Sequence, residues 1–547
     1  MHRFFKHVSR FTTSSWMIAG AAMLGVAAQN ASAQYSWVNT SNQTGNWNAT
    51  ARWTGGPAGT FPNAADATAT FNLPLSTAPS GNYNVQLSNT AGQSITVGGI
   101  TVNNYAGTND TANLRFGANG NGTLTFQTST GSAFYTENAA PTTENTAAGV
   151  TNIFAPVTFL SNTVITQNHA LNANGGTSFT SNANNAGGTT AAPGITVTKE
   201  GLGNVEFNVA PSGPGTGFQG AVVVDKGGVR DTANVFQNAS AITVNTGGQY
   251  QLGSGTITNW NLAPGAVLTL NGTGKDPSTA SFDGALRFQN NAATANFNNP
   301  VQLASTSNIY VTANLAPTPP NPVTFGHLTL TQTVSGPGGL AKDGPGVLEL
   351  TQANSYGGNG LGTAVNTGTL LANNTTGSAT GSGPVTVNAA ATLGGAGTVA
   401  GDLSVIGGIL SPGNGVGTLS LGNTQLDSAS TLLFDLAGPN VVGSGINDLL
   451  ELTGNLTLDG TLSVNALSGF GAGVYRLFDY TGALTDNGLL VGPLPGGFVG
   501  TVDLSTPLQV NLDVSAIAPE PSSWILAALG SLAMSWQLAR KRRATNF

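Results

Sequence analysis

Short apolar runs that alternate with polar residues fill the chain between residues 34 and 518. In segments such as 385–388 (VTVN), every second residue is apolar, and Gly, Asn, Pro or Ser follows within a few positions. Alternation with a period of two is typical of half-buried β-strands, and the residues that interrupt it are typical of turns. This region shows no convincing amphipathic helical period. The pattern predicts an all-β fold.

The strand-like segments recur at similar intervals. They begin near Val385, Leu403 and Leu419, at steps of 18 and 16 residues, and a step of 20 separates Val222 from Ile242. Such steps suit a solenoid, in which each coil covers the apolar face of its neighbour and no strand edge is exposed inside the stack. At about 18 residues and about 4.8 Å per coil, a solenoid of the whole region would be at most roughly 130 Å long.

A longer repeat supports this prediction. Residues 198–207 (TKEGLGNVEF) match residues 341–350 (AKDGPGVLEL), and the two lysines are 143 positions apart. Both segments contain a lysine, an acidic residue and two spaced glycines, followed by apolar positions. Glycine suits corners that need a positive φ or a close approach of two backbones.

Composition and charge narrow the possible functions. The 547 residues include 76 glycines, no cysteine and only 7% charged residues. The absence of cysteine excludes a disulfide scaffold, a thiol enzyme and a Cys-ligated metal site. Seven of the 16 basic residues lie at the two ends, so the region between them has nine basic and 23 acidic residues, a net charge of −14. That region lacks the basic footprint of a nucleic-acid-binding protein.

The N-terminal segment over 1–33 has the three parts of a secretory signal peptide. A basic start (MHRFFKHVSR) precedes an apolar run over 16–28 and an A-x-A site formed by Ala31 and Ala33. The apolar run is shorter than the about 20 residues that cross a bilayer. We therefore interpret the segment as cleaved after Ala33, with Gln34 as the mature N-terminus; a retained membrane anchor is the alternative.

The C-terminal end contains a linker over 517–523, an uncharged stretch over 524–539 and a basic tail over 540–547. A helix of the uncharged stretch would be about 24 Å long, marginal for a hydrocarbon core of about 30 Å. A basic cluster behind such a helix favours a cytoplasmic end. The residues that define this pattern are Pro519, Glu520, Pro521, Arg540, Lys541, Arg542 and Arg543.

This arrangement resembles the PEP-CTERM sorting signal of Gram-negative bacteria. The resemblance covers 519–547, with the Pro-Glu-Pro motif, the short helix and the basic tail in the same order. It implies recognition by an exosortase, a membrane peptidase-like enzyme, and export toward the extracellular matrix. A plain single-pass tail anchor is the alternative.

Residues 340–371 resemble the autotransporter-associated β-strand repeat, whose fold is a right-handed parallel β-helix. The matching positions are Lys342, Gly344, Gly346, Leu348, Leu350, Asn354, Tyr356, Gly368 and Leu370. Residues 198–230 resemble a degenerate copy of the same repeat. The extra glycine-rich stretch over 358–362 predicts a longer corner.

Two flanking regions complete the body. Trp37, Trp47 and Trp53 cluster near the mature N-terminus. They predict a cap over the open end of the solenoid, with a stacking platform for sugars as the alternative. Near the other end, Asp459-Gly460 between alternating apolar runs is a hairpin signal, which predicts an antiparallel closing part.

The expected organisation begins with a signal peptide over 1–33 and a Trp-containing cap with the first strands over 34–110. A solenoid body follows over 111–426, with repeats near 198–230 and 340–371, and then a C-terminal β part over 427–516. The chain ends with a linker over 517–523, a transmembrane helix over 524–539 and a basic cytoplasmic tail over 540–547.

Motifs for catalysis, metal binding or cofactor binding are not found in the sequence. His169 and His327 have no serine or carboxylate motif beside them, and the aspartates lack the nine-residue spacing of calcium-binding β-solenoids. We expect no cofactor and no designed metal site. Nine basic residues also make a cleft for acidic sugars hard to assemble.

We therefore expect an exported non-enzymatic protein of the surface or extracellular matrix of a Gram-negative-type bacterium, structural or adhesive within exopolysaccharide or biofilm. The expected partners are the secretion machinery, an exosortase, extracellular polysaccharide and, at least transiently, the inner membrane; no nucleic acid is expected. Two alternatives are a carbohydrate-active β-helix enzyme (a polysaccharide lyase or hydrolase) and a permanently membrane-anchored binding protein.

Overall fold

The structure is a computed structural model. It describes residues 32–38, 44–72, 83–87, 94–105, 114–117, 122–139, 151–168, 176–179, 188–210, 217–253, 256–275, 284–289, 294–314, 324–517 and 523–544. The chain divides into two units, Met1–Ser32 and Ala33–Phe547. The predicted signal peptide lies outside the described residues except for its last two positions, and the second unit is described below.

The described part of this unit contains 51 strands and one α-helix, numbered in chain order. The first strands are β1 (Gln34–Trp37), β2 (Thr44–Asn46), β3 (Trp53–Thr54), β4 (Thr68–Asn72), β5 (Tyr83–Gln86), β6 (Ser94–Val97), β7 (Gly99–Tyr105), β8 (Leu114–Phe116), β9 (Thr123–Phe126), β10 (Ala133–Ala139), β11 (Thr151–Ile153), β12 (Val157–Phe159), β13 (Thr163–Gln167), β14 (Gly176–Phe179), β15 (Thr189–Ala191), β16 (Thr196–Glu200) and β17 (Asn204–Phe207). The middle strands are β18 (Ala221–Val224), β19 (Gly227–Asp231), β20 (Ala241–Val244), β21 (Gly248–Leu252), β22 (Asn259–Trp260), β23 (Leu268–Leu270), β24 (Leu286–Phe288), β25 (Thr294–Phe297), β26 (Val301–Leu303), β27 (Ser307–Val311), β28 (Ala313–Asn314), β29 (Thr324–Phe325), β30 (His327–Leu330), β31 (Val334–Ser335), β32 (Leu340–Asp343), β33 (Val347–Leu350) and β34 (Thr363–Val365). The last elements are β35 (Gly368–Ala372), β36 (Val385–Val387), β37 (Ala391–Gly395), β38 (Thr398–Val399), β39 (Leu403–Val405), β40 (Ile409–Pro412), β41 (Thr418–Leu421), β42 (Thr424–Leu426), β43 (Thr431–Leu436), β44 (Leu449–Leu452), β45 (Leu456–Leu458), β46 (Thr461–Ala466), β47 (Gly473–Tyr480), β48 (Leu484–Asp486), β49 (Leu490–Val491), β50 (Phe498–Asp503), β51 (Gln509–Ala516) and α1 (Ser523–Ala544).

The strands form three faces of parallel strands. Face A has the order β1-β4-β7-β10-β13-β16-β18-β20-β23-β26-β31, followed by β38-β41-β44-β47. Face B is a single line, β2-β5-β8-β11-β14-β17-β19-β21-β24-β27-β32-β34-β36-β39-β42-β45-β48. Face C has β6-β9-β12-β15, and later β22-β25-β30-β33-β35-β37-β40-β43-β46-β49. This is a parallel β-helix, the fold that the resemblance of residues 340–371 implies and a form of the solenoid that the sequence pattern predicts.

The pairing register tests the predicted coil spacing. Val385 pairs with Leu403 and Val222 pairs with Ile242, so these two predicted steps are confirmed. The predicted step from Leu403 to Leu419 is wrong, because Leu419 lies on face A and Leu403 pairs with Thr424 on face B. The two segments share the apolar alternation but belong to different faces. Alternation alone does not distinguish one face from another.

Coil length varies widely along the chain. On face B the shortest step, from Val385 to its partner Leu403, is less than half as long as the step from Thr44 to its partner Asn84. The 17 described strands of this face, at about 4.8 Å each, extend for roughly 80 Å. This is shorter than the upper bound from the sequence, because the corners take up more of the chain than that bound assumes.

Aromatic side chains stack inside the coils. The rings of Phe179 and Phe207, on successive strands of face B, are 4.8 Å apart and nearly parallel. Phe126 and Phe159 stack in the same way on face C, with ring centroids 5.5 Å apart. Parallel in-register pairing places like residues above each other, so each ring covers the next and removes it from water.

A row of amides runs along the outside of face A. The Nδ2 groups of Asn103, Asn138 and Asn168 each donate to the Oδ1 atom of the asparagine one coil earlier, at 2.8–3.1 Å, and the row begins at Asn72. Each amide can donate and accept at once. The row therefore links four successive coils on the solvent side without using charge.

The tryptophans near the N-terminus pack together beside the first strands. Strand β3 pairs antiparallel with β1 and places Trp53 beside Trp37, with ring centroids 4.9 Å apart. The rings of Trp47 and Trp53 also contact Phe71, and both tryptophans are buried. The buried rings of Trp47 and Trp53 have no free face for a sugar, whereas Trp37 is only partly buried.

The C-terminal β part contains the predicted antiparallel sheet, but the predicted hairpin does not form it. Asp459-Gly460 is not a hairpin, because the strands on either side, β45 and β46, lie on faces B and C and pair with different neighbours. Gly460 has a φ of +90° and turns a solenoid corner. Antiparallel pairing is present, but it joins β47 to β51 and β51 to β50. The solenoid thus continues to β49, and only residues after 472 add an antiparallel sheet.

The α-helix α1 covers the uncharged stretch and four of the basic positions, since it extends from Ser523 to Ala544. Among the residues that the structure describes, no helix combines the length and the apolar composition needed to cross a membrane. The predicted transmembrane helix over 524–539 is therefore not supported.

The corner glycines generate a prediction. Gly368 has a φ of +68°, and a Cβ there would lie 2.4 Å and 2.5 Å from the carbonyl oxygens of Gly344 and Gly346 in the preceding coil. Gly360 also has a positive φ, +79°, but nothing lies within 4 Å of the position that a Cβ would take. Both Ala variants carry about 1–2 kcal/mol of left-handed strain, and we expect G368A to lose about 2 kcal/mol more through overpacking. Thermal unfolding of the two variants, compared with the parent, measures this difference; equal midpoints would contradict it.

Candidate functional site

The repeat that begins at Lys342 forms a corner between faces B and C. Lys342 is fully buried at the end of β32, and its Nζ donates to the carbonyl oxygens of Asp343, Gly344 and Thr367 at 3.1, 2.8 and 3.0 Å. Thr367 belongs to the next coil, so one ammonium group ties two coils together. Burial lowers the pKa of Lys342 to about 7, while the charge of Asp343 acts in the opposite direction.

The degenerate copy has the same geometry. The Nζ of Lys199 donates to the carbonyl oxygens of Glu200, Gly201 and Lys226, at 2.6, 2.8 and 3.1 Å. Burial lowers the pKa of Lys199 well below its usual value, and the nearby charge of Lys275 adds to this. Lys199 lies on face A and Lys342 on face B, yet the corner is the same. The motif therefore specifies a local corner and not a particular face.

The other repeat positions complete this coil. Leu348, Leu350 and Leu370 point into the core and are fully buried. Asn354 accepts from the backbone N–H of Val334 and donates to the carbonyl of Ala379, which joins three coils on face A. Tyr356 is buried, and its hydroxyl lies 2.7 Å from the hydroxyl of Thr363. Gly344 and Gly368 have positive φ. Gly346 packs against the carbonyl oxygens of Thr312 and Gly326. The predicted longer corner is a single 3-10 turn, Gly358–Gly360.

His327 contacts a carboxylate on the outside of face C. Its Nε2 lies 2.8 Å from the Oε2 of Glu349, which also accepts from the hydroxyl of Thr329, while Asn373 donates to Oε1. Hydrogen bonding by His327 is the largest of the effects that lower the pKa of Glu349 to about 2. The pair links β30, β33 and the end of β35, and these described hydrogen bonds do not involve a serine. His169 lies outside the described residues.

Two carboxyl groups have raised pKa values. Burial raises the pKa of Asp231 to about 6, although the N–H groups of Ala233, Val235 and Phe236 donate to it. Burial likewise raises the pKa of Asp448 to about 7, against donation from the backbone of Gly417 and Asp435. Both side chains are almost completely inaccessible to solvent. They hold corners of the backbone together.

Three basic residues meet on the outside of face B. Arg230 on β19 and Arg287 on β24 occupy the same register, separated by Gln251 on β21. Lys275 reaches the same surface and donates to the Oδ1 of Asn204 at 3.2 Å. A third of the nine central basic residues therefore gather in one place, although two of them, Arg287 and Lys275, are buried.

A weak signal for this cluster exists in the sequence. The tripeptide Leu-Arg-Phe occurs at 114–116 and at 286–288, in β8 and β24. In both strands the leucine and phenylalanine point inward, and both strands lie on face B. The repeated tripeptide indicates an outward arginine, but the long and variable corners conceal which strands come together.

The predicted processing and sorting residues are only partly described. Ala31, Pro519, Glu520 and Pro521 lie outside the described residues. Gln34 is the exposed first residue of β1, and Ala33 precedes it. Arg540 and Lys541 lie on α1, where the guanidinium of Arg540 is 4.1 Å from the ring centroid of Trp536. Arg542 and Arg543 continue the helix, and their side chains lie outside the described atoms. The sorting role of all these residues stays a prediction.

The described residues contain no group of three or more His, Cys, Asp or Glu that could hold a metal ion. The main concentrations of charged or ionisable groups in this part of the chain are the lysine corners, the His327–Glu349 pair, the buried aspartates and the basic cluster on face B.

The lysine corner generates a stability prediction. Lys342→Met keeps the length and volume of the side chain but leaves the carbonyl oxygens of Asp343, Gly344 and Thr367 without this donor. We expect the free energy of unfolding to fall by about 2–4 kcal/mol and amide hydrogen exchange to accelerate around β32 and β34. The matched control is Lys226→Met, since the Lys226 side chain is exposed. Equal effects of the two substitutions would refute the role of the ammonium group.

A pH dependence follows from Asp231. Its folded pKa of about 6 lies above the value of 3.8 for an unfolded aspartate, so protonation favours the folded state. This contribution is complete below pH 3.8 and is lost as the pH rises through 6, amounting to about 2 kcal/mol between pH 4 and pH 8. We expect Asp231→Asn to be less stable overall but to lose less stability over this interval. Thermal unfolding at both pH values measures the loss; an unchanged pH dependence would contradict it.

Comparison with known proteins adds a relative to these features. No family model matches the chain. A curated relative, the adhesin BmaC autotransporter of Brucella suis biovar 1 (strain 1330), is 49% identical over 112 residues. The match covers 20% of this chain and 3% of that protein, so the chain spans only a small part of its relative. The chain is thus similar, over about a fifth of its length, to a segment of an autotransporter adhesin.

Proposed function

We propose that the protein is an exported surface adhesin without enzymatic activity. The observation that carries the proposal is the similarity to a segment of the adhesin BmaC autotransporter, together with a parallel β-helix as the body of the chain. A fold of this type gives a long surface of outward polar side chains on a rigid core. Such a surface suits contact with an extended partner.

The architecture supports a structural role. Each coil contacts mainly its two neighbours, and the ammonium corners and the amide row on face A fasten successive coils. The outer side chains of the amide row are neutral, so the row remains polar at any physiological salt concentration. These properties favour a durable scaffold outside the cell, where ionic conditions vary.

The carboxyl groups argue against the alternative of a polysaccharide hydrolase. Such an enzyme needs an accessible pair of carboxyl groups, one with a raised pKa, about 5–10 Å apart. The described carboxyl groups with clearly raised pKa values, Asp231 and Asp448, are buried and accept hydrogen bonds from backbone N–H groups. Neither is open to a substrate.

We also propose that the C-terminal segment directs sorting. Pro519, Glu520 and Pro521 would provide the recognition site, and the four basic residues that begin at Arg540 would complete the signal. The support for this proposal is the order of these elements in the sequence. Partners in this step would be the secretion machinery and an exosortase, and the destination would be the cell surface or a matrix of exopolysaccharide.

The proposal predicts two properties of the chain recovered from extracellular material of a Gram-negative host that carries an exosortase. Beads coated with this chain should attach to bacterial surfaces or matrix more strongly than uncoated beads, and mass spectrometry should find a C-terminus near residues 519–521. Absence of adhesion would refute the adhesive role. A chain that still ends at Phe547 would refute processing while leaving adhesion untouched.

A further inference from the structure

The basic cluster on face B lies within a strongly acidic region of the chain, whose net charge is −14. Arg230 and Arg287 stand two strands apart at the same register, a distance of about 10 Å at the usual strand spacing. Lys275 approaches from the segment after β23 and contacts Asn204 on β17. The three cations therefore lie along face B in a row that runs parallel to the solenoid axis.

The three cations differ in exposure. The side chain of Arg230 is 34% exposed, whereas Arg287 and Lys275 are 6% and 8% exposed. Arg230 is therefore the accessible edge of the cluster. Arg287 and Lys275 are screened by less water than surface residues are. Their charges therefore attract an anion beside Arg230 more strongly than two exposed charges would.

The cations are close enough to repel one another. The charge of Arg230 helps to lower the pKa of Arg287 to about 10, after the larger effect of burial. Burial also lowers the pKa of Lys275, and the charge of Arg287 adds to that effect. Glu206 accepts a hydrogen bond from Nη1 of Arg230 at 3.1 Å. Glu206 therefore offsets one of the three positive charges of the cluster.

Neutral groups beside the cations can recognise a sugar. Tyr310 follows Arg287 in the register, and the guanidinium lies 5.9 Å from the centroid of its ring. The partly exposed amide of Asn204 lies next to Lys275. Amides pair with hydroxyl groups, and an aromatic ring supplies an apolar surface. The combination fits a polymer that carries both hydroxyl and acidic groups.

We infer that the stretch of face B between β17 and β27 binds an anionic polysaccharide, whose acidic groups contact Arg230 and lie in the field of Lys275 and Arg287. This inference rests on the proposed adhesive function and names the partner class. A nucleic acid is disfavoured, because its dense phosphates require an extended basic surface and the cluster supplies only three cations. The chain of the polymer would lie along the solenoid axis, where the two arginines repeat.

Binding of the full chain to polygalacturonate tests the inference, with dextran sulfate as the sulfated probe, neutral dextran as the uncharged probe and a DNA duplex as the nucleic-acid probe. We expect binding to one or both acidic polysaccharides that weakens with salt, and no binding to neutral dextran. In the double variant Arg230→Gln/Lys275→Gln we expect the dissociation constant to rise about tenfold, since both substitutions remove a charge from the cluster. The two acidic probes distinguish carboxylate from sulfate.

Two further variants keep the test independent of folding. Arg476→Gln removes one positive charge in the C-terminal sheet, where Arg476 contacts Asp479, and should change the dissociation constant less than twofold. Lys275→Arg retains the charge and should weaken binding less than the single variant Lys275→Gln does. The inference is overturned if Lys275→Arg loses binding like the glutamine variant, if Arg476→Gln weakens it equally, or if DNA binds more tightly than both acidic polysaccharides. Beads that still adhere while acidic polysaccharides fail to bind would leave the adhesive function standing and remove this inference.

Discussion

The structure depends on the parallel pairing of each strand with the strand one coil earlier. This pairing satisfies the backbone N–H and C=O groups of the strands in each coil, and it places apolar side chains of successive coils on top of one another. Three parallel faces leave three corners per coil, where ladder bonds stop and carbonyl oxygens lose their partners. The buried ammonium groups of Lys199 and Lys342 meet this need, since each donates to three carbonyl oxygens from two coils. The corners and the faces are thus stabilised by different chemistry.

The same division explains the composition. Faces need an apolar residue at every second position, and a small neutral residue suffices at most of the positions between. Corners need glycine where a Cβ would meet a carbonyl of the neighbouring coil, as at Gly368. The few charges of the body are therefore free for special tasks. Some fasten corners, as Asp231 and Lys342 do, and others meet on the outside of face B.

The faces could be predicted from the sequence, whereas the order of the coils could not. Period-two alternation identified β36 and β39 as neighbours, and the lysine motif identified two corners that proved to be alike. Alternation does not indicate which face a strand joins, so it could not assign Leu419 to face A. Asp459-Gly460 resembled a hairpin because corners and hairpins use the same turn residues. The basic cluster could not be predicted for a related reason. Arg230 and Arg287 are distant in the sequence, and only the lengths of the intervening corners bring them together.

The wide range of coil lengths on face B has a consequence for how such a chain changes over evolutionary time. The side chains of two paired strands set their register. A corner can therefore gain or lose residues while the strand pairs on either side keep that register. Each corner is then an independent site of variation on a constant frame. Lineages can diversify the outer surface coil by coil, and new surface features arise by local insertion without redesign of the core.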